Sequence, residues 1–231
     1  MKHAWFVTGT DTNVGKTLVS CALLHALRAR GLSAAGMKPV ASGCHATAAG
    51  ARHADAEALM AASSVSLEYA AVNPYALRAA TAPHLAAQAE GVTISIDTIA
   101  QAFAQLQTRV EAIVVEGVGG WLVPVDANHT MADVAARLQL PVVLVVGIRL
   151  GCLNHALLTA QAIERSGCRL GGWVADHLSN DADGVLNGYV AALSERLPAP
   201  LLGEHTEEVL HDLDRTDAAA ARPRTRVGAA L

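Results

Sequence analysis

The strongest chemical signal is the segment Gly-Thr-Asp-Thr-Asn-Val-Gly-Lys-Thr that runs from Gly9 to Thr17. It follows a short apolar run and opens a helical pattern. A polyphosphate needs N–H donors and positive charge at close range. Glycine lets the backbone approach, successive N–H groups point inward, and a helix N-terminus adds a favourable dipole. Asn13, Val14, Gly15, Lys16, Thr17 and Leu18 are the candidate nucleotide cradle. Lys16 is placed to reach the β and γ phosphates, and Thr17 to offer its hydroxyl to Mg²⁺. The loop departs from the common pattern, because five residues separate Gly9 from Gly15 and Thr10 stands where a first glycine is expected. An ordinary glycine-rich turn entering a helix is the bland alternative, and the strand–loop–helix setting favours phosphate.

A magnesium nucleotide also needs carboxylates near its β and γ phosphates. Glu116 ends the apolar run Ile113-Val114-Val115 and precedes Gly117, Val118, Gly119 and Gly120. Ligands of an open α/β sheet sit at the carboxyl ends of its strands, which puts Glu116 beside the phosphate loop. Lys38 opens Lys-Pro-Val-Ala-Ser-Gly at the end of another expected strand. A second lysine there could neutralise charge that develops in phosphoryl transfer. A solvated surface lysine is an equal alternative, since lysines are mostly exposed. Asp55 lies in an expected helix and by itself could be any solvated carboxylate.

The elements that must hold these residues are legible as a pattern. Expected strands cover residues 4–8, 33–40, 112–116, 142–147, 170–175 and 201–203. Several are apolar at successive positions, as strands covered on both faces are. Helical patterns cover residues 16–30, which stop at Gly31, then 97–110 and 154–166. The 47 alanines crowd into stretches such as 46–62 and 83–89, and predict close-packed helices there. Strand–helix alternation of these lengths predicts a doubly wound α/β fold, its sheet mostly parallel with helices on both faces, of the P-loop NTPase type. A single domain is expected over residues 1–217, followed by an Ala- and Arg-rich tail, 218–231, partly disordered or loosely docked.

Composition narrows the partners. A hydrophobic fraction of 52% with a net charge of −4 argues against a disordered chain and against a nucleic-acid partner. The longest apolar run falls far short of the roughly 20 residues of a membrane helix. The N-terminus enters a strand at once rather than a signal-peptide core. Cys21, Cys44, Cys152 and Cys168 lack metal or redox spacing and read as reduced thiols of a cytoplasmic protein. Trp5, Trp121 and Trp173 read as packing residues.

Taken together, these segments resemble the dethiobiotin synthetases. The stretches that carry the resemblance start at Phe6, Gly36, Val72, Val115, Val145, Gly171 and Pro200, and they reach to about Glu204. Lys-Pro-Val-Ala-Ser-Gly after Met37 and Gly-Cys-Leu-Asn-His after Leu150 are far more specific than the phosphate loop. The resemblance implies a homodimeric cytoplasmic enzyme that converts diaminopelargonate, CO₂ and ATP to dethiobiotin, ADP and phosphate with Mg²⁺. It implies a carbamate, then a carbamic–phosphoric anhydride, then ring closure. Lys16 and Lys38 become the catalytic cations, and Thr17, Asp55 and Glu116 the magnesium ligands. Thr12 and Ser42 contact the diamine or its carbamate. Gly117, Val118, Gly119 and Asp176 join the nucleotide site. Gly151, Cys152, Leu153 and Asn154, with Tyr189, hold the substrate carboxylate across the subunit interface. Asn154 also reads as a plain N-cap.

The chain departs from that family pattern in places. Asn13 replaces a frequent glutamate, Arg149 a frequent lysine, and Asp176 an asparagine that reads adenine. The segment from Glu204 to Glu208 lacks a Pro-Trp often found near the base. Ionised aspartate only accepts hydrogen bonds, so loosened base selection is expected, with ATP the default. Two other readings are weighed. A partition-type ATPase usually carries a further lysine early in its loop, and none lies between Thr10 and Val14. A cobyrinate-type amidoligase carries a glutaminase domain, for which 231 residues leave no room.

Overall fold

The computed structural model describes residues 3–178 and 185–204. β1 (His3–Gly9) leads into α1 (Lys16–Ala29) and β2 (Ala34–Met37). An excursion follows, made of β3 (Val40–Ser42), the hairpin β4 (His45–Thr47) and β5 (Gly50–Arg52), α2 (Ala54–Ala62), α3 (Tyr69–Val72), β6 (Tyr75–Leu77) and α4 (Pro83–Glu90). The chain returns through α5 (Ile96–Arg109) to β7 (Ala112–Glu116), then α6 (Met131–Leu138), β8 (Val142–Ile148), α7 (Cys152–Arg165), β9 (Leu170–His177), α8 (Val185–Arg196) and β10 (Leu201–Gly203).

Six strands form one parallel sheet in the order β10-β9-β8-β1-β7-β2. Both faces are covered. Trp5, Val7, Val143, Val145 and Val174 pack under α1 in one core, while Phe6, Val142, Leu144, Val146 and Trp173 belong to the other. Alternate side chains of one strand thus enter different cores, which is why these strands read as unbroken apolar runs. β1 lies at the centre, with the chain winding to β2 on one side and β10 on the other. The crevice at the carboxyl end of β1 is therefore the topological switch point where such sheets bind ligands. Gly36 lets α2 lie close on β2, since a Cβ there would sit 2.7 Å from the Cβ of Leu59.

The expected doubly wound, mostly parallel sheet is present, and several element boundaries differ from expectation. The single strand expected over 33–40 is two. β2 ends at Met37, and β3 pairs with β6 in a separate small sheet. Pro39 has no N–H to continue the ladder, and the residue before a proline is restricted. The helix expected over 46–62 starts only at Ala54, because residues 45–52 form the β4–β5 hairpin despite their alanines. α7 begins at Cys152, two residues before the expected start, so Gly151 (φ 94°) holds the N-cap position rather than Asn154. The four cysteines are free thiols. The tail 218–231 and the segment after Glu204 lie outside the described residues.

Candidate active site

The phosphate loop spans the gap from β1 to α1. Asn13 (φ 58°) and Gly15 (φ 85°) both take left-handed backbone, which curls the loop around its own interior. Lys16 is buried, and its Nζ donates to the carbonyl of Asp11 at 2.7 Å. Arg149, at the end of β8, grips the same residue through its carboxylate at 2.8 Å. Beside the loop lies a cleft of about 790 Å³. Its walls include Thr12, Asn13, Gly15, Lys16, Thr17 and Leu18 from the loop and helix start, with Lys38, Ser42, Asp55, Glu116, Val118 and Gly119 from other segments.

Three elements deliver charge to one point. β2 stops one residue before Lys38, α2 starts one residue before Asp55, and β7 ends on Glu116. Lys38 Nζ donates to Asp55 Oδ2 at 2.8 Å, to Glu116 Oε1 at 2.6 Å and to the Gly117 carbonyl at 3.2 Å. Lys38 is 2% exposed, which rejects the solvated-lysine alternative. Thr17 Oγ1 donates to Glu116 Oε1 at 2.9 Å, so the loop hydroxyl meets the same carboxylate.

The electrostatics follow from burial and pairing. Desolvation pulls the Lys38 ammonium toward neutrality, yet the Glu116 and Asp55 carboxylates outweigh it and hold its pKa above the ordinary value. For Asp55, desolvation acts upward, and the Lys38 charge and hydrogen bond, with His53 and Thr17, hold it below the usual range. Lys16 lacks such a close anion. Burial first, and then repulsion from Lys38, bring its pKa down to about 8. Two cations and two carboxylates thus share the floor of the cleft.

The donor set suits a hard divalent cation. Thr17, Asp55 and Glu116 offer only oxygens, and Glu116 Oε2 is buried with no hydrogen-bond partner. No group of three or more His, Cys, Asp or Glu side chains forms a metal cage among the described residues.

The remaining expected site residues are not among those that line the cleft. Val14 is buried beneath the loop, and Gly117 sits behind Lys38 with its N–H donated to Val7. Asp176, at the end of β9, packs against the loop, where a Cβ on Gly15 would run into its Oδ2. Gly151, Cys152, Leu153 and Asn154 do not line the cleft. Cys152 is buried, its N–H already donated to Arg149, while Asn154 is exposed. Tyr189, on α8, is half-buried and also away from the cleft. His53 was not foreseen. It lines the cleft and caps α2, its Nδ1 accepting the Asp55 N–H at 3.1 Å. A non-helical residue ahead of an acidic first turn was the available signal.

Comparison with known proteins decides the family. An ATP-dependent dethiobiotin synthetase BioD of Xanthomonas axonopodis pv. citri (strain 306) is 54% identical over 204 residues, which cover 88% of this chain and 91% of that protein. The chain belongs to the dethiobiotin synthetase family. A protein of the same name from Yersinia pestis bv. Antiqua (strain Angola) is 49% identical over 203 residues, 88% of this chain and 84% of that one. A family model described as an AAA domain matches residues 3–210. Among solved structures, the MinD cell division protein of Aquifex aeolicus superposes with a TM-score of 0.55 at 13% identity, covering 94% of this chain and 86% of that chain. The signal recognition particle receptor FtsY of Elizabethkingia anophelis, in complex with GDP, gives 0.50 at 16% identity, covering 90% and 59%. These likenesses establish the P-loop NTPase fold that this synthetase family member adopts. No helix among the described residues is long and apolar enough to cross a membrane.

Proposed function

We propose that this chain is an ATP-dependent dethiobiotin synthetase, which closes the ureido ring of dethiobiotin from diaminopelargonate and CO₂ with release of ADP and phosphate. The observation that carries the reading is the buried Lys38 ammonium, hydrogen-bonded to Asp55 and Glu116 in the cleft that also holds Lys16. Family membership at about half identity supports it.

In this reading one substrate amine captures CO₂ as a carbamate. The carbamate oxygen attacks the γ-phosphate, the bond to ADP breaks, and a carbamic–phosphoric anhydride forms. The second amine then attacks the activated carbonyl, closes the ring and expels phosphate. Carbamate and triphosphate are both anionic, so their approach needs fixed positive charge. Lys16 binds the β and γ phosphates. Lys38 faces the carbamate and the transferring phosphoryl group, held there by carboxylates that keep it protonated. Thr12 and Ser42 orient the diamine or its carbamate. Thr17, Asp55 and Glu116 would hold Mg²⁺, which when bound offsets phosphate charge.

The substrate carboxylate is held by residues 151–154 and Tyr189 of a second copy, so the working unit is a homodimer in the cytoplasm. Support comes from the apolar surface beside that loop, where Leu150 is 88% exposed and Leu158 57% exposed. The direct test supplies ATP, Mg²⁺, bicarbonate and diaminopelargonate and looks for dethiobiotin by mass. Magnesium- and ATP-dependent product is expected, and its absence from folded protein rejects the reading.

A further inference from the structure

Behind the cleft, Lys38 and Asp55 are joined by a second route that avoids their ion pair. The His53 N–H donates to the Tyr69 hydroxyl at 2.9 Å. That hydroxyl donates to Asn73 Oδ1, also at 2.9 Å. Asn73 Nδ2 in turn donates to the Lys38 carbonyl at 2.7 Å and to the Tyr75 carbonyl at 3.2 Å. The Lys38 N–H is fixed on its other side by the Val72 carbonyl at 2.8 Å. His53 Nδ1 completes the path by accepting the Asp55 N–H.

The polarity of every bond is forced. A backbone N–H only donates, so the Tyr69 oxygen accepts from His53 and its own hydrogen must go to Asn73. Asn73 meets carbonyls at Nδ2, so its Oδ1 faces the phenol. The bonds form a closed ring: Lys38 Nζ, Asp55, His53, Tyr69, Asn73 and back to the Lys38 carbonyl. The Arg52 guanidinium, 4.0 Å above the Tyr69 ring centre, limits that ring's movement. Asn73 is 2% exposed, so its amide cannot exchange these partners for bulk water.

Lys38 needs such support because it sits outside any strand. β2 has ended, Pro39 offers no donor, and the backbone would otherwise be free to carry the ammonium away from both carboxylates. We propose that Tyr69 and Asn73 are positioning residues, which fix the Lys38 backbone relative to the start of α2 so that the ammonium and the Asp55 carboxylate are aligned before substrates bind. The inference rests on the roles given above to Lys38 and Asp55. Neither Tyr69 nor Asn73 lines the cleft. Their effect therefore falls on the transition state and on metal held by Asp55, and little on nucleotide affinity.

The test compares wild type with Tyr69→Phe, which keeps the ring under Arg52 and removes only the hydroxyl. Asn73→Asp serves as a second variant, retaining the acceptor for Tyr69 and losing the donor to Lys38. Ile163→Val, in the α7 core, is the stability control. Turnover, KM for ATP, melting temperature and binding of Mn²⁺ to the ADP-loaded protein by electron paramagnetic resonance are measured on each. Supporting residues of this kind are expected to lower kcat and weaken Mn²⁺ binding to the ADP-loaded protein by about tenfold, with KM for ATP within about twofold. Tyr69→Phe with kcat and Mn²⁺ binding both near wild type overturns the relay. So does a loss that Ile163→Val reproduces at an equal fall in melting temperature. If wild type makes no dethiobiotin yet Tyr69→Phe weakens Mn²⁺ binding, the proposed reaction fails and the relay stands.

Discussion

Lys38 and Lys16 are both buried lysines in one cleft, and they are tuned in opposite directions. Lys38 is paired closely enough to stay charged at any physiological pH. Replacing it with alanine removes the cation proposed to meet the transferring phosphoryl group. Lys38→Ala is expected to cost about a hundredfold or more in kcat while ADP binding, followed by calorimetry, largely survives. Normal turnover in that variant rejects the role. Lys16, at a pKa of about 8, is half neutral near pH 8 in the free protein. Bound phosphates favour its charged form. Well below pH 8 the ammonium is already present, so binding takes up no proton there. Above pH 8 binding must draw one in, and affinity falls by up to about tenfold per pH unit. Calorimetry near pH 9 in buffers of different ionisation enthalpy should register that uptake, and none would contradict the lowered pKa. We propose that Asp176 meets the nucleotide base, where an ionised carboxylate accepts hydrogen bonds and does not donate them. Turnover with GTP or CTP is therefore expected within about tenfold of that with ATP at matched magnesium. A preference for ATP of several orders of magnitude removes the idea of loosened base selection.

At the scale of elements, the site depends on where strands and helices stop. Each critical charge stands at an end: Lys38 after β2, Asp55 in the first turn of α2, Glu116 closing β7. Such positions fix a side chain through the rigid element behind it while freeing the cleft in front. Gly36 sets how closely α2 approaches β2, and hence where Asp55 stands. A methyl group there meets Leu59 at 2.7 Å and Leu24 at 3.1 Å, contacts a packed core cannot absorb freely. Gly36→Ala should destabilise the protein by about 1–3 kcal/mol, read from denaturant melts. An unchanged midpoint would show that α2 is not seated on β2 in this way.

For the whole molecule, the proposed site is split between two copies. Lys38 and the loop residues 151–154 of one chain would serve different active sites. A Lys38→Ala chain mixed with an Asn154→Asp chain should therefore regain activity, because one of the two sites in each heterodimer has both parts intact. Heterodimers verified by mass that remain inactive argue against a shared site.

Much of the fold and half of the site could be read directly from the sequence. A strand buried on both faces is a continuous apolar run, and a phosphate loop is contiguous in the chain. Residues 142–147 and 12–18 therefore disclosed themselves locally, and so did Glu116, between an apolar strand and glycines. Local propensity misled where tertiary pairing overrode it, as when alanine-rich residues 46–52 took up a hairpin. The state of Lys38 was undecidable from its neighbours. Its burial depends on Asp55 and Glu116, which lie 17 and 78 residues away. The Tyr69–Asn73 path stayed hidden for the same reason, since its bonds to His53 and Lys38 span 16 and 35 residues. Composition and periodicity determined the sheet, its two covered faces and the phosphate loop, because those arise from burial and from adjacent backbone groups. Only the tertiary structure decided that two lysines and two carboxylates share one floor, because hydrogen-bond geometry between distant segments exists only after the chain has folded.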